Sequence, residues 1–295
     1  MYTRGHPLSK RLVGTASLVH QQPIAVELNR RAPLGSLSTA TAPPALGTIQ
    51  RIEYEINQIV NSNTERQRWG VNGNLQNRLE IRRFMSSSAW APNIPFRSAN
   101  YQGSNKCNVF ALDLGWRCGF NVPVLIYNYP PQRHTFPLAN QLTTYAQRAF
   151  TQGNTELIGQ DGRTRWGWVD TGIPRTDINA FINDGWFYII VGWRRRRGTG
   201  HVGIIRRIEA LTTNSSGRIQ SITYEGWEAR QARAERVTGH EWRTTQCGVT
   251  TPPCPETPAN TLKNFCAIHI LCLDWETNEA QRAVRVSHVN KCRLN

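Results

Sequence analysis

An α+β domain, with helices packed on a mostly antiparallel sheet, is predicted by three features of the sequence. Two segments with helical spacing precede residue 155, five short β-branched or aromatic runs follow it, and the two kinds of element do not alternate as βαβ units do. A length of 295 residues suits one large domain or two small ones. Ten Trp and an aromatic content of 9% set the chain apart from disordered sequences. No apolar run approaches the ~18–20 residues of a membrane helix, so no membrane span is expected.

Residues 1–47 lack a sustained apolar period and end in a Ser/Thr/Ala/Pro tract, which predicts a flexible arm and linker. The domain is expected over 48–295. Thr48 is placed to cap a helix in which Ile49, Ile52, Ile56, Ile59 and Val60 face inward and Arg51, Glu53 and Glu55 face away. Leu138, Leu142, Tyr145, Ala146 and Ala149 predict another helix that stops before Gly153. Trp166–Val169, Trp186–Trp193, Val202–Ile208, Ile219–Tyr224 and Phe265–Leu273 read as strands, bounded by Gly, Asn and Asp turns.

Thirty-five basic against twenty acidic residues give a net charge of +15, a field that favours polyanionic partners such as nucleic acid, anionic lipid or bacterial cell wall. Charge does not choose among them. A secretory signal is not expected, because Arg4, His6, Lys10, Arg11 and His20 interrupt every early apolar stretch. Of seven cysteines, Cys247, Cys254, Cys266, Cys272 and Cys292 fall near the C-terminus, a pattern compatible with disulfides or with buried thiols. None has the close spacing of a zinc site, and neither metal nor cofactor is expected.

Chemistry concentrates at three places. In Asn105-Lys-Cys-Asn-Val-Phe-Ala-Leu-Asp-Leu-Gly-Trp116 a polar tetrad precedes a run apolar on both faces, which predicts a buried helix beginning at Cys107. Helix amides and Lys106 would favour the thiolate there; the bland reading is a small apolar residue entering the core. In Gly200-His201-Val-Gly-Ile-Ile205 a histidine opens a strand behind a glycine-rich loop, held by a sheet yet near solvent, as a general base requires. His6, His20, His134, His240, His269 and His288 are weaker candidates. Ile222-Thr-Tyr-Glu-Gly-Trp227 ends the next strand, and hairpin pairing through Thr212–Gly217 is expected to bring Glu225 beside His201 as the orienting carboxylate.

With these three segments in this order, the sequence resembles the NlpC/P60 and CHAP superfamily of papain-like cysteine amidases and peptidases. The segment Gly185–Trp193 also resembles the strand that precedes that family's histidine strand, and the resemblance covers roughly residues 95 to 275. Two departures stand out: Trp227 occupies a place where many CHAP members carry Asn, and Lys106-Cys107-Asn108 replaces Asp-Cys-Ser. The resemblance implies a papain-like fold that hydrolyses peptidoglycan peptide bonds, with Cys107 as nucleophile, His201 as base and Glu225 as third residue. Tyr101 is then expected to support the oxyanion, Trp193 and Trp227 to wall the cleft, and Arg197 to meet stem-peptide carboxylates. The implied partner is bacterial peptidoglycan, with a cognate immunity protein if the chain is an interbacterial effector. Delivery to a target cell's periplasm or wall would then proceed without a signal peptide, as it would for a phage lysin. Two rival expectations are a cysteine peptidase or acyltransferase acting on proteins and a basic nucleic-acid-binding domain.

Overall fold

The computed structural model describes residues 42–75, 101–127, 133–153, 156–158, 165–193, 200–245 and 262–275. Most of the arm expected over 1–47, and Arg197 with its arginine run, lie outside them. The architecture is mixed α+β.

Helix α1, Ile49–Val60, begins as its sequence predicts. The Thr48 hydroxyl accepts the Arg51 N–H at 3.1 Å, and Ile52, Ile56 and Ile59 are buried. Arg51, expected to face away, is buried too: its guanidinium pairs with Glu55 at 2.7 Å and donates to the Pro44 carbonyl. A short helix α2, Asn63–Arg68, follows, capped by Ser62. Helix α3, Cys107–Arg117, is buried on every side from Cys107 through Gly115, which is why its sequence is apolar without a polar face. It packs on α1 and on two neighbouring strands of the large sheet. Gly115 leaves room for Leu273, whose methyl would lie 2.5 Å from a β-carbon at this position.

Helix α4, Ala139–Thr151, turns Leu142, Ala146 and Ala149 inward. Leu138, counted with that apolar face, is instead the half-exposed residue before the helix, where the Gln141 side chain accepts its N–H at 2.7 Å. Helix α5, Arg175–Asn183, has no clear signal in the sequence. It buries Ile178, Phe181 and Ile182, and its Asn179 carboxamide bonds both the N–H and the C=O of Ile208 at a sheet irregularity.

Strands β1, Leu125–Tyr127, and β2, Arg133–Thr135, form a separate two-stranded ribbon. The large sheet contains β3 Glu156–Ile158, β4 Arg165–Val169, β5 Tyr188–Trp193, β6 His201–Thr213, β7 Ile219–Ala229, β8 Ala234–Thr244, β9 Leu262–Phe265 and β10 Ala267–Leu273. Their order is β3-β4-β10-β5-β6-β7-β8-β9, antiparallel except for the β8–β9 pair. Only Cys266 separates β9 from β10, yet β9 pairs with β8 and β10 with β5. The sheet from β10 to β9 therefore curls round on itself. Phe265 of β9 reaches back over β5, where a β-carbon on Gly192 would lie 2.4 Å from its ring.

The β6–β7 hairpin forms through the predicted turn, whose Asn214 side chain accepts the Ser216 and Arg218 N–H groups. Strand β8 is not legible in the sequence. Opposite β7, Tyr224 pairs with His240 and Gly226 with Val237, so β8 carries one extra residue there, next to Gly239 at φ +60°. Its buried residues Ala234, Val237, His240 and Trp242 are spaced by three, three and two, with the bulge in the second interval, which hides the alternation of a strand.

Cys107, Cys118 and Cys272 stand as thiols, and Cys266 is disulfide-bonded. Burial holds the Cys118 thiol well above its usual range. His269 on β10 is also buried, with ring nitrogens 3.2 Å from the Thr171 hydroxyl and 3.1 Å from the Gln147 carboxamide oxygen. Burial, and to a lesser degree Arg218, brings its pKa down to about 4. A depressed histidine stabilises the fold fully above its ordinary value near 6.5, and loses that contribution as pH falls toward 4. Urea unfolding should thus lose about 2 kcal/mol more between pH 7 and 4.5 in the native chain than in His269→Gln. Equal losses would contradict the assignment.

Among the described residues no helix is long and apolar enough to cross a membrane.

Candidate active site

Cys107 occupies the first position of α3, where the leading N–H groups of a helix point beyond it. The side chain is 4% exposed. Lys106, the residue before it, is buried, and its ammonium donates to the carbonyls of Gly70, Val71 (3.0 Å) and Ser104 (3.3 Å), tying two loops beneath the helix start. Burial lowers its pKa to about 8.

Two hydrogen bonds relate Cys107 to His201. Next to Cys107, the Asn108 carboxamide donates to the Pro137 carbonyl at 2.7 Å. Three residues further along that segment, the Asn140 side chain accepts the Gly200 N–H at 2.8 Å, immediately before His201. The start of the cysteine helix and the start of the histidine strand are therefore fastened to one short stretch, residues 137–140. Helix α3 also packs against both β6 and β7.

His201 itself opens β6 with its side chain 15% exposed, and its Nε2 lies 2.8 Å from Oε2 of Glu228. The Glu228 side chain is fully buried. Its second oxygen, Oε1, accepts from the Tyr224 hydroxyl and from His240 Nδ1, the latter at 2.7 Å. Arg230 Nε stands 3.6 Å from Oε2. Burial, then the Glu228 charge and the hydrogen bond to it, hold the Tyr224 phenol well above its ordinary pKa, so it remains a donor. Trp242 stacks obliquely near His201 at 5.6 Å and Phe265 at 4.4 Å between ring centres, forming an aromatic floor.

The carboxylate beside His201 is thus Glu228 and not Glu225. Glu225 lies opposite Arg207 in the sheet register, ion-paired with Arg236 at the surface. The hairpin brings Ile204 opposite Trp227 only after three register shifts, which leaves Glu228 one step further toward His201. The sequence singles out neither Tyr224 nor Glu228, and offers His240 only as a weaker candidate. Tyr224 stands at the end of a predicted strand with nothing local to mark its partner, and His240 sits on β8, a strand not legible in the sequence.

The remaining expected residues are scattered. Tyr101 occupies a left-handed turn position, φ +54°, and its buried ring belongs to the core cluster that contains Cys107 and Phe110. Trp193, expected to wall the cleft, follows Gly192, which pairs with His201, so alternation along β5 sets it on the face away from the His201 ring, at 37% exposure. Trp227, expected to wall the cleft, pairs with Ile204 and Arg236, so alternation along β7 sets it on the face away from Glu228. There it lines a cavity of about 510 Å³ with Arg66, Arg206 and Arg233.

Comparison with known proteins identifies no relative: no family model matches the chain, and neither a curated protein nor a solved structure matches it.

Proposed function

We propose that the protein is a cysteine hydrolase of papain-like type that cleaves amide bonds, with peptidoglycan stem peptides as its substrate class. The observation that carries this reading is the His201 Nε2 to Glu228 Oε2 bond of 2.8 Å, made by a histidine whose strand start shares an anchor with the Cys107 helix. The substrate class rests on the sequence resemblance, and the net charge of +15 suits an anionic wall polymer.

In this mechanism Nε2–H of His201 donates to Glu228, which leaves Nδ1 to take the Cys107 thiol proton. The thiolate attacks the amide carbon, and its C=O bond becomes an oxyanion next to the helix-start amides. His201 then returns the proton to the departing amine as the C–N bond breaks. Water, deprotonated by Nδ1, attacks the thioester, releasing the acid and restoring the thiol. Glu228 stays ionised throughout and stabilises the imidazolium.

Incubating the purified chain and Cys107→Ala with intact sacculi and muropeptides, with mass spectrometry of soluble products, tests both parts. The native chain should release stem-peptide fragments and the variant none. No release from either folded protein would overturn the substrate class. Equal release by both would overturn the nucleophile.

A second reading, a nucleic-acid-binding domain, is favoured by the same charge. It requires DNA or RNA affinity that is unaffected by Cys107→Ala and falls steeply with salt.

A further inference from the structure

We propose that Tyr224 and His240 are positioning residues: they clamp one oxygen of Glu228 so that the other holds the His201 ring with Nδ1 directed to Cys107. The inference rests on the cysteine-hydrolase reading and names how that site is kept in register.

A carboxylate on a strand can rotate about its side-chain bonds, and a single hydrogen bond to His201 would leave it free to do so. Glu228 is not free. Oε1 is held from its own strand by Tyr224, four residues earlier, and from the neighbouring strand by His240, while Oε2 faces β6. The three donors reach a fully buried carboxylate from three adjacent strands, which fixes its plane as well as its position.

The direction of these bonds follows from burial. His240 Nε2 is a buried nitrogen with no hydrogen-bond partner among the described residues. A hydrogen on Nε2 would go unsatisfied, so the ring hydrogen belongs on Nδ1, where it is donated to Glu228. The Tyr224 hydroxyl has its place because residue 203 is glycine. A β-carbon there would lie 2.3 Å from that oxygen. Gly203 of the His201-Val-Gly segment is therefore part of the clamp without touching substrate.

The charged and titratable groups around Glu228 are His201 on β6, Tyr224 on β7, Arg230 just beyond it and His240 on β8. From α3, which packs on β6 and β7, come Cys107 and Lys106, the latter turned to the carbonyls of Gly70, Val71 and Ser104. Arg230 divides its charge with Glu235 at 2.7 Å. Tyr224 and His240 both bond Oε1 directly.

The test follows the thiolate and needs no substrate. The rate of Cys107 alkylation by iodoacetamide, read by peptide mass spectrometry from pH 4 to 10, reports how well His201 stabilises the thiolate. Native protein should show a low-pH reactive limb that His201→Ala abolishes. Tyr224→Phe, which removes only an oxygen, and His240→Leu should each move that limb upward and slow alkylation at pH 6 by about tenfold. His240→Asn, whose carboxamide nitrogen takes the place of Nδ1, should restore most of the rate. If His201→Ala shifts the limb while Tyr224→Phe and His240→Leu leave it unchanged, the clamp is overturned and the dyad stands. If His201→Ala also changes nothing, the dyad and the clamp fall together.

Discussion

Glu228→Gln is expected to lower amide hydrolysis by about 10³- to 10⁴-fold, whereas Glu225→Gln leaves it within about twofold of native. The substitution keeps the shape of the side chain and removes its charge. The carboxamide that replaces the Glu228 carboxylate would face three donors, the His201 Nε2–H, the Tyr224 hydroxyl and the His240 Nδ1–H, with one carbonyl oxygen and an amide group that itself donates. Either one donor goes unpaired or His201 moves its hydrogen to Nδ1 and accepts from the carboxamide, a tautomer that cannot take the thiol proton, and in both cases the imidazolium loses its counter-charge. Glu225 has no such role: its ion pairs are with Arg236 and Arg207, both exposed, and exposed pairs contribute about 0–1 kcal/mol. Steady-state kinetics on the wall substrate, with circular dichroism to check folding, reads the contrast. A large loss in Glu225→Gln with native activity in Glu228→Gln would reverse the assignment.

Trp242→Ala is expected to cost about 3–5 kcal/mol of stability, and Trp193→Ala less than about 1. Trp242 is fully buried inside the curl of the sheet, against Phe265, Tyr224 and the His201 ring. Its removal leaves a cavity where β6, β7, β8 and β9 converge, and the strands cannot close it without breaking the ladders that join them. Trp193 stands at the end of β5 with 37% of its surface in water. Chemical denaturation of the two variants measures the difference. A loss of similar size at both positions would show that Trp193 is held by contacts its exposure does not suggest.

The elements legible in the sequence share a property: their signal is local. Thr48 and the isoleucines of α1, the helix from Cys107 that is apolar on both faces, the His201 strand and the Asn214 turn each form from residues close in sequence, and the structure contains each of them. Arg51 escapes a local reading because its burial depends on Glu55 and the Pro44 carbonyl, partners that no helical period reveals. The same reasoning explains β8, whose burial is irregular from Ala234 onward and is further displaced by the bulge at Gly239, so no alternation announces a strand.

Capping, periodicity and turn chemistry act over a few residues, and they suffice for the class of fold, the helix that starts at Cys107 and the strand that starts at His201. Which carboxylate meets His201 depends instead on the assembled sheet. A shift of one residue in pairing turns a side chain to the other face of a sheet, and the β6–β7 ladder shifts at three bulges between the turn and the histidine. Register over that distance is set by how the curled sheet closes, through β8, β9 and Phe265 packing over Gly192, and that is a property of the whole domain.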